Sequence, residues 1–240
     1  MRLLRDTDPE RLGFMRHLMQ STGLVHVTRA GLLRPDPGLA TDWLRSPTQQ
    51  QRTKLAQAWR DDPTWNDLIH VPSLRLEDTG GWRNDPVLAR QAVLSHLPAC
   101  SSGAWYAIEG FAAAIKRRDA DFQRPDGDYT AWYIRDSLTG VYLSGFENWE
   151  AVEGALIRYL IVGPLAWLGL VDLGMASVDG PLVAFRLTTP GEAFLGLRTL
   201  RPEPEPVPLT LRPGPVVAVP QARRYDRFQL ARIASRVRSD

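Results

Sequence analysis

Four aspartates crowd one stretch of the chain, Asp119, Asp121, Asp126 and Asp128. Carboxylates at that density are the raw material of a magnesium or calcium site. Their spacing is not that of a calcium loop, and no Glu-x-Lys follows to complete a nuclease-like set, so the expectation is a solvated loop. A metal-dependent enzyme subunit using Asp119 to Asp128 is the rival reading. His17, His26, His70 and His96 never fall two to a helical turn, and Cys100 has no second thiol, which argues against zinc and against a disulfide framework. Cys100 follows Pro98-Ala99 at a helix end and reads as a small buried residue rather than a nucleophile. No glycine-rich loop ends in a lysine that would cradle ATP phosphates. The expectation is therefore a non-enzyme with no metal and no cofactor.

The remaining chemistry is cationic. Lys116-Arg117-Arg118 with Arg124, and Arg223-Arg224 with Arg227, are the candidates for contact with a phosphate backbone. From Arg198 onward nine arginines face four acids, net +5, whereas residues 1–197 carry 20 basic and 23 acidic side chains, net −3. Sequence-independent attraction to nucleic acid would thus come mainly from the tail. Only Lys54 and Lys116 of the 29 basic residues are lysine, a bias ascribed to genome composition.

These groups need elements to hold them. Placed at about 100° per residue, residues 149–162 put Trp149, Val152, Ala155, Leu156, Tyr159 and Leu160 on one broad face, with Glu150, Glu153 and Arg158 opposite. A helix that reads bases presents Arg, Lys, Asn or Gln, so Arg158 between two glutamates is a poor reader. Ile157 and Ile161 lie near the same outer face, which predicts cover by a partner protein or by another part of the chain; Ile157, Arg158 and Ile161 are the candidate partner-binding set. Gly163-Pro164 should end or kink the helix. Asp179-Gly180 then predicts a two-residue hairpin, and Thr189-Pro190-Gly191-Glu192 a capping box opening the next helix, with Thr189 as the cap. Gly23-Leu24-Val25, Leu32-Leu33-Arg34-Pro35 and Pro37-Gly38-Leu39-Ala40 repeat that order near the start.

The fold class expected is α+β, mainly helical, with tandem winged-helix units and small β-hairpin wings. Residues 1–45 read as a first unit that lacks chain ahead of Met1; 46–84 as a helical spacer opened by a capping box at Ser46-Pro47-Thr48-Gln49; and 85–200 as a second unit. In that unit a helix covers Val87 to Leu97 and another about Ala104 to Arg118, with a hairpin insertion at 129–146 around Asp136-Ser137-Leu138-Thr139-Gly140. Residues 201–240 hold a proline-alternating linker, then a strand at 215–220 and a helix from Tyr225 to Val237. That strand and helix cannot make a core alone, so they begin a third domain or dock back. Apolar composition of 44% with eight tryptophans suffices for a packed core. The run Tyr159 to Val171 is shorter than the roughly 20 residues a membrane span needs. One cysteine and no charged-then-apolar leader predict a cytoplasmic setting.

Several motifs carry a resemblance: Trp65-Asn66-Asp67-Leu68; Gly127-Asp128-Tyr129 with Trp132-Tyr133-Ile134-Arg135-Asp136; Gly145-Phe146-Glu147; Val152-Glu153-Gly154; Gly163-Pro164-Leu165 with Trp167 to Gly174; and Arg224 to Arg232. Over most of residues 40–235 the chain resembles bacterial helicase-associated winged-helix proteins whose C-terminal part is similar to the N-terminal domain of the XPB repair helicase. The resemblance implies winged-helix architecture and a place beside DNA transactions, with no catalytic motif. The chain departs from the pattern by ending where the helicase-like domain continues. The first expectation is an interaction module with a protein partner in a DNA-processing complex, touching duplex phosphates weakly and taking no small-molecule substrate. A direct DNA-binding regulator is the alternative.

Overall fold

The computed structural model describes residues 8–77, 79–80, 82–124, 126–201, 207–214, 216–220 and 223–235. The chain is α+β and mainly helical, with small antiparallel sheets. Helix α1 (Pro9–Ser21) starts where the Asp8 carboxylate accepts from the Glu10 and Arg11 amides, and it buries Phe14 and Leu18. Strands β1 (Val25–Val27) and β2 (Leu33–Pro35) pair antiparallel, and α2 (Pro37–Arg45) follows with Asp36 as its cap. Helix α3 (Thr48–Asp61) does not open with the expected capping box. Ser46 donates back to the Asp42 carbonyl at 2.8 Å, closing α2, and Pro47 occupies the cap position without a side-chain bond.

A 3-10 turn (Asp67–His70) leads to β3 (Leu74–Leu76), and α4 (Pro86–His96) is capped by Asp85. The helix expected from Ala104 is corrected at its start. Tyr106–Ala107 is a strand, β4, paired with Phe185 and Ala184, and α5 begins only at Ile108 and runs to Arg118. Trp105 instead lies against Gly174, where an added Cβ would meet its ring at 3.1 Å. In the insertion, β5 (Ile134–Asp136) has the Arg135–Tyr142 bridge on one side and all of β3 on the other. The inserted hairpin therefore takes a further strand from the preceding section.

Residues 150–165 form one helix: a π-helical turn (Glu150–Gly154), α6 (Ala155–Leu160) and a second π-helical turn (Ile161–Leu165). Gly163, at φ −94° and ψ −106°, kinks the helix rather than ending it, and Pro164 sits inside the last turn. Strands β6 (Val171–Met175) and β7 (Leu182–Leu187) make a hairpin that joins β4 in the order β4-β7-β6. The expected two-residue turn is longer than predicted. A Pro181 flanking Asp179-Gly180 has no N–H to close that turn, so the Ala176 amide donates to the Pro181 carbonyl, and a Ser177–Gly180 turn, with Asp179 at φ 59°, forms the tip. Helix α7 (Thr189–Phe194) is capped by Thr188, one residue earlier than expected, so Glu192 is released from a capping box and pairs with Arg198 at 2.6 Å.

Strands β8 (Thr210–Arg212) and β9 (Val216–Ala218) pair, and α8 (Arg224–Ala231) packs against α2, with the Arg45 guanidinium 5.1 Å from the Tyr225 ring. Helix α8 thus docks back onto the start of the chain. The proline run at 202–206 and the stretch expected as helix beyond residue 235 lie outside the described residues. A single apolar core runs from Phe14 of α1 through Trp59, Leu68, Val93, Ile115 and Trp149 to Leu187 of β7. No helix among the described residues is long and apolar enough to cross a membrane.

Candidate nucleic-acid interface

The helix over residues 150–165 is the natural place to look for a base-reading surface, and the fold closes it. Val152, Leu156, Ile157, Leu160 and Ile161 are all at most 1% exposed, with α5 packed on one side and α1 and the Asp67–His70 turn on another. Ile157 and Ile161, taken as partner-binding residues, are corrected to core residues: the cover predicted over them is the chain itself. Arg158 is accessible, but its guanidinium grips Glu109 through Nε at 2.9 Å and through Nη2 to both carboxylate oxygens. Both ends of that bridge are partly solvated, which makes it a weak restraint on stability and a direct competitor for any phosphate.

Of the first basic cluster, Arg124 is not available to a ligand. It is buried, donating from Nε to Glu153 at 2.5 Å and from Nη1 to the Asp128 carbonyl, with Trp132 and Tyr129 rings 4.1 and 4.8 Å from its guanidinium. Its bond to Glu153 ties the segment after α5 to the central helix. Burial pushes the Glu153 carboxyl up, against the pull of Arg124, and Glu153 Oε2 and Gln123 Oε1 stay without a hydrogen-bond partner. Lys116 is held by Glu150 at 3.0 Å and lies over Trp149 and Phe146. Arg117 and Arg118 are exposed at the C-terminal end of α5, where cations also complement the helix dipole.

The aspartate stretch is spent on local structure. Asp121 accepts from the Tyr129 hydroxyl at 2.5 Å, Asp128 accepts from Thr130 and Ala131, and Asp119 meets His96 at 3.3 Å. The Thr130 hydroxyl and amide hold the exposed Asp128 carboxyl below its ordinary range. No group of three His, Cys, Asp or Glu suited to a metal ion occurs among the described residues. Burial pushes the Cys100 thiol up to about 11, which keeps it protonated. His17 bonds Asp62 at 2.6 Å and His70 bonds Glu10 at 3.1 Å, and both imidazoles lie against the Trp65 ring, His70 stacked on it. Burial raises the Asp62 carboxyl, yet the Thr64 hydroxyl and amide and His17 hold it below its usual value. A cavity of about 250 Å³ between α3 and α7, lined by Arg52, Gln49, Ala56, Pro190 and Phe194, is smaller than most small-molecule pockets.

The second basic cluster is accessible. Arg223 is bound to the Val207 carbonyl and to Asp226, while Arg224 and Arg227 are exposed on α8. The structure also shows groups that sequence reasoning passed over. The β1–β2 hairpin presents His26 and Arg34 directly opposite each other, with Arg29 beside its tip. The signal was the stretch 22–35, which holds these cations and no acid. Also missed was Arg90, completely buried, which bonds Asp67 at 2.7 Å and donates to the carbonyls of Trp59, Arg60, Asp62 and Trp65. Asp67 also accepts from the indole N–H groups of Trp59 and Trp65.

Comparison of the chain with protein families, curated proteins and solved structures gives no match.

Proposed function

We propose that this protein is a non-enzymatic interaction module of a DNA-associated assembly, built from two winged-helix units. Support for the architecture comes from the order α4, β4, α5, the helix over 150–165, β6 and β7, with β4 against β7, which is how a winged-helix unit closes its small sheet. The hairpin of β1 and β2 followed by proline-started α2 parallels the hairpin of β6 and β7 followed by α7. Fold alone does not license an activity.

The observation that carries the reading is the burial of the helix over residues 150–165, whose one accessible arginine, Arg158, is occupied by Glu109. A unit built this way has no side chains to spend on base edges. An apolar face remains elsewhere: Val27 and Leu33 face each other across the first hairpin, both about half exposed, with Leu32 beside them, a contiguous surface suited to another protein.

Selection of bound sequences from a randomised duplex pool by the full chain tests this. The reading expects no enriched sequence and no effect of Arg158→Ala. An enriched motif bound at least about 10³-fold more tightly than random duplex, and lost in Arg158→Ala, would make the protein a sequence-reading regulator instead.

A further inference from the structure

Many arginines of the fold are held by carboxylates, and others stand in water. Arg60, Arg90, Arg124, Arg135, Arg158, Arg186 and Arg198 are each paired with a carboxylate. Arg29 and Arg34 of the first hairpin, and Arg224 and Arg227 of α8, form no ion pair or side-chain hydrogen bond among the described residues, and all four are exposed. A guanidinium left hydrated in this way keeps its planar donor fork for an external anion, and phosphate oxygens match that fork.

These four are linked through one helix. Helix α2 begins two residues after β2, and α8 lies against α2, so the hairpin and α8 both adjoin the same nine-residue helix. Residues 22–35 hold no acid, and residues 207–235 hold five arginines against Asp226 alone, which Arg223 already neutralises. Asp42 of α2 is the one acid between them apart from the cap Asp36. Lys116, Arg117, Arg118 and Arg124, by contrast, stand among four aspartates in residues 116–128. The second hairpin is also neutralised, with Asp172 on Arg186 and Asp179 at the tip.

We propose that duplex DNA binds, through its phosphates and without sequence preference, on the surface formed by the β1–β2 hairpin and α8, with Arg29, Arg34, Arg224 and Arg227 as the contacts. The choice of duplex DNA rests on the DNA-associated reading above; the location rests on exposed arginines in stretches almost free of acids, which Arg117 and Arg118 are not. His26 and Arg34 occupy the hairpin face opposite to Val27 and Leu33, so the basic and apolar surfaces are separate. A membrane surface would use both together on one side, whereas a phosphodiester backbone needs the basic face alone.

The test is fluorescence anisotropy of the full chain with a random-sequence duplex across a salt series from 50 to 200 mM, beside phosphatidylserine vesicles. Four phosphate contacts give a slope of log K against log salt of about −3.6. Arg29→Gln with Arg34→Gln, or Arg224→Gln with Arg227→Gln, should each lower the magnitude of that slope by about 2. Arg117→Gln with Arg118→Gln should leave it unchanged, and circular dichroism should show every variant folded. Absence of binding at 50 mM salt, a slope carried by Arg117 and Arg118, or preference for the vesicles would each overturn the proposal. None of these outcomes touches the interaction-module reading, which fails only on a selected sequence motif.

Discussion

Replacing Arg90 by methionine tests the energetics of the fold most sharply, because the side chain is replaced by one of roughly similar length and no charge. In the native chain Arg90 is fully buried and gives its fork to Asp67 and four backbone carbonyls around the end of α3. The variant leaves Asp67 as a buried carboxylate with only the two indole donors, and breaking one side of a buried ion pair costs about 3–5 kcal/mol. Carbonyls that lose their donor add about 1 kcal/mol each where no other partner takes over. Counting one such carbonyl, the expected loss is about 4–6 kcal/mol at pH 7, a large share of the roughly 5–15 kcal/mol that holds an ordinary domain. The pH dependence supplies a second readout. Burial raises the Asp67 carboxyl and Arg90 opposes the rise, so removing Arg90 raises it further. A carboxyl raised in the folded state holds its proton where the unfolded chain has released it. Its contribution is thus complete below the ordinary aspartate value near 3.9 and is lost as pH climbs through the folded one. Arg90→Met should accordingly lose stability more steeply than the native chain as pH rises above the ordinary aspartate value, and Asp67→Asn added to it should abolish that difference. Urea unfolding followed by tryptophan fluorescence at several pH values reads both quantities. A loss under about 1.5 kcal/mol at pH 7, or a pH dependence equal to that of the native chain, would refute the reasoning.

Two further outcomes follow from local geometry. Gly191 at the start of α7 approaches the Leu170 carbonyl so closely that an added Cβ would sit 1.9 Å from the oxygen, so Gly191→Ala should cost about 3 kcal/mol and lower Tm by roughly 6–12 °C. Gly13→Ala in α1, where nothing lies within 4 Å, should instead gain about 0.5–1 kcal/mol, and calorimetry that found the two substitutions equal would remove the steric argument. Cys100, buried and pushed up to about 11, should resist DTNB at pH 8 in the folded protein and react only after denaturant is added. Labelling as fast as that of a free thiol would show that the helix end opens.

The parts of the fold that sequence could disclose are those with a local cause. The apolar stripe from Trp149, the glycine-proline kink and the aspartate caps before Pro37 and Pro86 are written within a few residues of where they act. Pro181 also held the length of the second turn in plain view, since proline cannot donate the hydrogen bond that a two-residue hairpin requires at that position. Strand β4 had no such mark. Trp105 shares the helical phase of Ile108, Phe111 and Ile115, and only pairing with Phe185 and Ala184 makes Tyr106 and Ala107 a strand. The buried cations were half legible: Arg90 falls three and four residues before Val93 and Leu94, on the inward stripe of α4, whereas its partners around Trp59 and Asp67 are set by tertiary packing. For the candidate surface, charge was legible and pairing was not. Arg124 and Arg224 look alike as sequence, and only the fold distinguishes a guanidinium bound to Glu153 from one left in water.

The two buried ion pairs bear on how such a chain presents its surfaces. A buried pair contributes little net stability compared with well-packed apolar residues, but separating its members leaves charges that nothing else compensates. Arg90 joins α4 to the end of α3 and the Asp67–His70 turn, and Arg124 joins the segment after α5 to Glu153 in the central helix. Any motion that exposed the helix over residues 150–165 would have to pull apart the turn and α1 packed on it, and so would strain the surroundings of Asp67 as well as its apolar contacts. Opening that helix to read bases is therefore more costly than a loss of apolar contact alone. The first hairpin and α8 carry no such buried charges: their arginines are already in water, and an anion can meet them without rearranging the core. Accessible cations at the surface and rigidity at the central helix are consequences of the same division of arginines between buried pairs and exposed side chains.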